Sequence, residues 1–380
     1  MRTDPAEGAV RSMRVLTVTH YMPPHLGGIE MVADALVRGL AARGHDTRWV
    51  ASAAPARAGW EGARLRVPAW NALESKAGVP YPLWAARGLR DLDRQVTLAD
   101  VVHVHDCLYM GSAAAVASAR RLGKPVLLTQ HIGMVPYGPV LDRVERLAYA
   151  TLGRAVLAGA DKLVACAPHV PAFFAELGVT RPFQLIRNGI DAARFAGATP
   201  PGRAALRARY DLSPTARVVL FSGRLVAKKG VDKVAALQRA LAAEGVDLLV
   251  AGDGPLAHLL EGVPRTRRLG ALPPDVMPEL YALADLMVLP SHGEGLPLGV
   301  QEAMLSGAGV VVSDDPAFRD GLAGMPGARF ARDAAELLVA ARLALAEPTP
   351  REVVREAAAA RWGLEPFLDA YEQALASLVR

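Results

Sequence analysis

The stretch at 291–303, SHGEGLPLGVQEA, carries two glutamates, Glu294 and Glu302, with seven residues between them and no cation among those seven. It follows the run Asp285–Leu289, which has the length and apolar character of a buried strand. Gly295, Leu296 and Pro297 form a turn, and a helix is expected to begin near Leu298 and to carry Glu302. A carboxylate is a good acceptor for hydroxyls and a poor ligand for phosphate, whereas N–H groups at a helix start attract phosphate. Acids at both ends with N–H groups between them suit a ligand with phosphates in its middle and hydroxylated rings on either side. A nucleotide sugar has that outline.

Three more turns follow strand-like runs. In FSGRLVAKKG, Gly223 and Arg224 precede Lys229, and an arginine fork with a lysine point charge at one helix start suits a diphosphate. It is no Walker A loop, since it ends Lys–Lys–Gly. In HYMPPHLGGIE, Gly27 and Gly28 let backbone approach a ligand, and the helix from Ile29 aims its N–H groups at the same place. His20 and His25 flank that turn. VAGDGPLA mimics a dinucleotide fingerprint, but Pro255 stands in its first helical turn and no partner acid follows, so it reads as a tight turn.

Histidines form a further group. His103 and His105 share one strand face beside Asp106, yet no third ligand accompanies them and no metal site is expected. His105, at the strand end, is expected to border the acceptor. YPLWAARGLRDL, with aromatic and basic residues, reads either as an acceptor- or membrane-contacting segment or as an ordinary surface helix.

The positioning elements are periodic. Short apolar runs (14–19, 46–52, 100–104, 125–129, 161–166 and 183–186) alternate with helix-length segments, and the pattern restarts at 217–221, 246–251, 285–290 and 308–313. Such alternation means parallel sheets covered by helices. The interruption at 190–215, rich in Pro and Ala, separates two α/β domains of doubly wound, Rossmann-like type facing across a cleft. The expected limits are a disordered tail over 1–12, a first domain over 13–195, a second over 196–362, and a final helix over 363–380 that packs back on the first.

A chain of 380 residues with 52% apolar content fills two cores. Net charge is +5, unevenly placed: residues 1–190 carry 22 Lys/Arg against 15 Asp/Glu, and residues 191–380 carry 21 against 23. The cationic first half fits an anionic partner such as a membrane surface or charged glycan, or else reflects Arg-rich coding. Cys107 and Cys166 form no CxxC pair, which fits a reducing cytosol and no structural zinc. No apolar run reaches the ~18 residues of a membrane span, and the polar start is not a signal peptide. Nothing points to nucleic acid.

Taken together, EGLPLGVQE resembles the E-x7-E motif of retaining GT-B glycosyltransferases of family GT4. GRLVAKKG is similar to their GRL…KG loop, IRNGID to their PNGID turn and GGIE to their N-terminal glycine loop, and DVVHVH and TQH fall in matching order. The resemblance implies a metal-independent, retaining transfer of a hexose-type sugar from a UDP- or GDP-sugar to a glycan, lipid-linked or small-molecule acceptor. No cofactor beyond the nucleotide-sugar co-substrate is implied. Glu302 would hold the ribose and Glu294 the donor sugar, with the backbone of Gly295, Leu296, Pro297 and Leu298 near sugar and distal phosphate, the N–H groups coming from Gly295, Leu296 and Leu298. Arg224 and Lys229, beside Gly223, would neutralise the leaving diphosphate, Gly28 would approach it, and His131 would contact the transferred sugar. Leu269, in a loop at 268–269, would meet the base, and His20, His105 and Asn188 would lie on the acceptor side. Lys228 stands where the family commonly has glutamate, and Arg187 where it has proline. The implied place is the cytoplasm, with peripheral contact at the inner face of the membrane. A non-hydrolysing nucleotide-sugar epimerase and a silent nucleotide-sugar-binding protein are the competing readings.

Overall fold

Runs of Val and Leu bounded by Asp and Gly form the strands, and the segments between them coil into helices, giving one mostly parallel sheet in each half of the chain. The computed structural model describes residues 11–25, 27–53, 57–71, 81–134, 139–196, 202–213, 215–292 and 296–379. Residues 1–10 of the expected tail lie outside these. The chain divides into two units, Met1–Gly189 with Glu365–Arg380, and Ile190–Leu364.

In the first unit, eight strands run β1 (Arg14–Val18), β2 (Asp46–Ser52), β3 (Gly59–Glu61), β4 (Arg64–Val67), β7 (Val101–His105), β8 (Val126–Gln130), β9 (Lys162–Ala165) and β10 (Phe183–Leu185). A separate antiparallel pair consists of β5 (Ala69–Trp70) and β6 (Leu83–Trp84). The sheet order is β10-β9-β8-β7-β1-β2-β4-β3, parallel except for β3 against β4. All five residues of β7 and of β8 are buried, as a strand covered on both faces demands. The order reverses between β1 and β7, so the turns after them, holding His20 and Asp106, meet at a topological switch point.

The chain ends in the helices Arg351–Trp362 and Leu364–Ala376, separated at Gly363, and the second of them is the final helix of the segment 363–380. The second completes the first unit: the Thr129 and Tyr371 hydroxyls lie 3.1 Å apart, and Arg43 binds Glu365, Asp369 and Glu372.

The second unit holds β11 (Val218–Ser222), β12 (Asp247–Ala251), β13 (Thr266–Gly270), β14 (Leu286–Leu289), β15 (Gly309–Ser313) and β16 (Ala328–Ala331), all parallel, in the order β13-β12-β11-β14-β15-β16. Its switch point lies between β11 and β14, the strands that precede the basic turn and the two-glutamate turn. The unit begins at Ile190, a few residues before the expected join, because Ile190 pairs with Gly363 and Ile190 and Phe195 bury in its core. Residues 268–269, expected as a loop, belong to the edge strand β13.

Candidate functional site

Gly223 and Arg224 leave β11, and the turn continues through Lys229 to the helix Val231–Leu241. Arg224 is exposed. A Cβ built on Gly223 would lie 3.6 Å from Lys229 Cε, so the lysine stem runs over the turn. Gly230 has φ +69° and a Cβ there would press on the Pro290 carbonyl, so only glycine lets this turn approach the end of β14. The approach is sealed by the His292 N–H donating to the Lys228 carbonyl at 3.1 Å. Basic turn and acidic turn are therefore one structure.

VAGDGPLA supports this arrangement. Leu225 N–H donates to Asp253 O (2.9 Å) and Leu256 N–H to Leu225 O (3.0 Å). Gly252, at φ +140°, sits so close to the Gly223 carbonyl that no side chain fits. The dinucleotide-like glycines thus serve backbone packing.

After β14, Leu296 and Pro297 lead into the helix Leu298–Leu305, whose N-cap Pro297 makes no side-chain cap bond. Its first N–H groups therefore face no capping side chain, as a phosphate site requires. Glu294 and Gly295 lie outside the described residues. Glu302 is in the second turn of this helix. Burial raises its pKa against the opposing hydrogen bond from the Tyr281 hydroxyl and the charge of Arg194. Tyr281, fully buried, also bonds the Ser222 side chain at the end of β11. A Ser222–Tyr281–Glu302 chain thus ties the acid to the basic turn. Nothing local in the sequence marked Tyr281, which comes from the helix Met277–Leu283. Leu269 is half-buried against the core on β13, whose last residue accepts the Gly252 N–H at 2.7 Å.

The first unit gathers a second polar group at the ends of β1, β7 and β8. His105 Nδ1 and His131 Nε2 are 2.8 Å apart, and His131 Nδ1 lies 3.4 Å from Cys166 Sγ. Burial and the neighbouring His20 push His131 down to about 4, so it is neutral at neutral pH. Asp106, at φ +58°, accepts the His131 N–H at 2.8 Å and fixes that residue's backbone. Burial pushes the Asp106 carboxyl up to about 7. His20 stacks on Tyr109 with ring centroids 3.9 Å apart. Glu30, in the first turn of the helix Gly28–Ala42, lies 3.0 Å from His25 Nδ1 and 3.5 Å from His20 Nε2. Its pKa is lowered: burial opposes this, but the His25 bond and the His20 charge outweigh it. A Cβ on Gly28 would meet nothing within 4 Å, so no protein contact demands glycine there. Asn188 Oδ1 is buried without a hydrogen-bond partner. Among the described residues, no group of three or more His, Cys, Asp or Glu is placed to hold a metal ion, and no helix is long and apolar enough to cross a membrane.

Comparison with known proteins agrees in both units. Residues 26–194 match the profile of Glycosyltransferase Family 4, and residues 216–347 that of Glycosyl transferases group 1. A glycogen synthase of Mycobacterium tuberculosis is 31% identical over 396 residues, covering 94% of this chain and 91% of its own. The chain belongs to the group 1 glycosyltransferases of family 4. Another relative of this glycosyltransferase, a GDP-mannose-dependent alpha-mannosyltransferase of Corynebacterium glutamicum, is 29% identical over 324 residues, covering 78% of this chain and 71% of its own. Among solved structures, Anabaena HepE in complex with UDP and glucose superposes with a TM-score of 0.72 at 18% identity, covering 96% of this chain and all of its own. Sucrose-phosphate synthase from Thermosynechococcus elongatus gives 0.71 at 18%, again covering 96% and 100%. The fold of the glycosyltransferase is GT-B, with two Rossmann-like α/β domains.

Proposed function

We propose that the chain transfers a hexose-type sugar from a UDP- or GDP-sugar to a glycan, lipid-linked or small-molecule acceptor, with retention of configuration and without a divalent metal. The observation that carries this reading is the joined turn pair of the second unit. Two cationic side chains and an uncapped helix start, with Glu302 one turn further on, stand at one switch point. Kinship with a GDP-mannose-dependent mannosyltransferase and likeness to a structure in complex with UDP and glucose support a nucleotide-sugar donor without choosing its base.

In this reading Arg224 and Lys229 stabilise the charge that develops on the leaving diphosphate, the task a metal performs elsewhere. Glu302 accepts from the ribose hydroxyls, Glu294 holds the donor sugar, and neutral His131, its ring nitrogens engaged by His105 and Cys166, contacts the sugar without adding charge. The leaving phosphate takes the acceptor's proton in a front-face attack, so no enzyme nucleophile is needed. The surplus of cations in the first half suits an anionic or membrane-associated acceptor, reached from the cytoplasmic face.

A screen of UDP- and GDP-sugars by thermal shift, followed by transfer assays and NMR of the product's anomeric centre, tests the proposal. Stabilisation by one donor class and a product of unchanged anomeric configuration are expected. Inverted configuration, or binding without transfer or donor hydrolysis, overturns it.

A further inference from the structure

The second unit contains a cavity of about 420 Å³ that no step above uses. Arg217 precedes β11, Asp285 precedes β14, Gly309 opens β15 and Arg329 lies near the start of β16, and all four line it. In a parallel sheet these strand starts are at the opposite end from Gly223, Gly252 and His292, so an occupant would not compete with a donor. The size falls within the range of ligand pockets, roughly 300–1,000 Å³.

Its charge is unbalanced. Four arginines, Arg203, Arg217, Arg329 and Arg351, face two acids, Asp285 and Glu347. Asp285 is already engaged, accepting from Arg203 at 2.6 Å and from the Val218 N–H at 2.8 Å. Arg203 Nε is buried with no hydrogen-bond partner, a donor left without an acceptor in the wall. Arg351 is fixed by the carbonyls of Ala284, Tyr281, Ala282 and Ser306 and by no carboxylate. Burial, followed by the nearby Arg203 charge, lowers it to about 10. The helix Arg351–Trp362 also opens here, and its N-cap Pro350 supplies no side-chain cap. Unneutralised guanidinium groups, an orphan donor and free helix N–H groups all call for an oxyanion.

We propose that this cavity binds a small soluble phosphorylated compound through Arg217 and Arg329, with Arg203 and Arg351 as the fixed cationic floor. Arg217 is exposed and Arg329 half-buried, so both are removable without emptying the core.

The test titrates inorganic phosphate against the full chain at constant ionic strength, reading melting temperature. The saturable rise expected of wild type should persist in the Arg224→Ala/Lys229→Ala variant, which lacks the donor-site cations, and the Arg217 and Arg329 substitutions are compared in that background. In Arg217→Ala/Arg329→Ala the half-saturating phosphate concentration should increase at least tenfold. Arg217→Gln/Arg329→Gln, which keeps side-chain length, should behave likewise if the alanine variant folds poorly. No saturable rise in wild type, or an unchanged one in the Gln variant, overturns the proposal. So does co-sedimentation with phosphatidylglycerol vesicles that depends on these two arginines while phosphate does not, since the ligand is then a lipid headgroup.

Discussion

The His292 amide donates to the Lys228 carbonyl at 3.1 Å, joining the turn after β14 to the turn after β11. The start of the turn after β14 is therefore tied to the basic turn, and changes in one should be felt in the other.

The two glutamates should have separable roles. Glu302→Ala removes a ribose acceptor, so the donor's KM should rise a few-fold to tenfold, for a lost charged hydrogen bond of about 1.5–3 kcal/mol partly offset by water. Glu294→Ala and Lys229→Ala act on groups whose charge changes in the transition state, so they should lower kcat more than they raise KM. Steady-state kinetics of the three variants decide this, and equal pure KM effects for both glutamates contradict the division.

Tyr281→Phe should resemble a weaker Glu302→Ala. The phenol donates to a buried carboxylate, and its loss should cost about 1–3 kcal/mol of stability and raise the donor's KM while sparing kcat. A change in kcat alone would place Tyr281 elsewhere in the mechanism.

Turnover should survive EDTA. In the proposed mechanism Arg224 and Lys229 neutralise the leaving diphosphate, so chelation should leave the rate within about twofold. Loss of activity restored by manganese would overturn the cationic-pair assignment.

Gly252→Ala should destabilise the second unit by more than the ~1–3 kcal/mol typical of backbone strain, because the new Cβ would collide with the Gly223 carbonyl at φ +140°. Urea unfolding measures it. Donor binding should weaken too, since Gly223 leads into Arg224.

Stability should fall on acidification below about pH 6.5. Burial, with neighbouring imidazoles, lowers His103 to about 3 and His131 to about 4, and drives His105 well below its usual range. In the unfolded chain each takes up a proton near pH 6.5. Asp106, raised to about 7, opposes them by holding a proton that the unfolded carboxyl loses near pH 3.9. Glu302, which burial also raises, opposes them in the same way, but three imidazoles outnumber two carboxyls, so the unfolded state binds more protons between about pH 4 and 6.5. Stability therefore rises with pH across that window, by about 1.4 kcal/mol per net proton per pH unit. Urea midpoints at pH 5, 6 and 7 check the sign, and a His103→Phe variant should flatten the slope.

The strand–helix alternation, the basic turn and the Leu298 helix with Glu302 were legible in the sequence. Each rests on local periodicity or on residue types within one turn. The edge strand β13 was not, because TRRLG lies half-exposed at the sheet margin and carries no apolar run. Position across the sheet, rather than spacing along the chain, brought Tyr281 to Glu302, Asp106 to the His131 backbone and Tyr371 to Thr129. The four-arginine cavity likewise assembles from strand starts and helix starts far apart in the chain. The sequence by itself determined the residue types and spacings from which a nucleotide-sugar site is proposed. Only the tertiary structure decided which buried partners hold them, because burial and hydrogen bonding between distant segments depend on strand order.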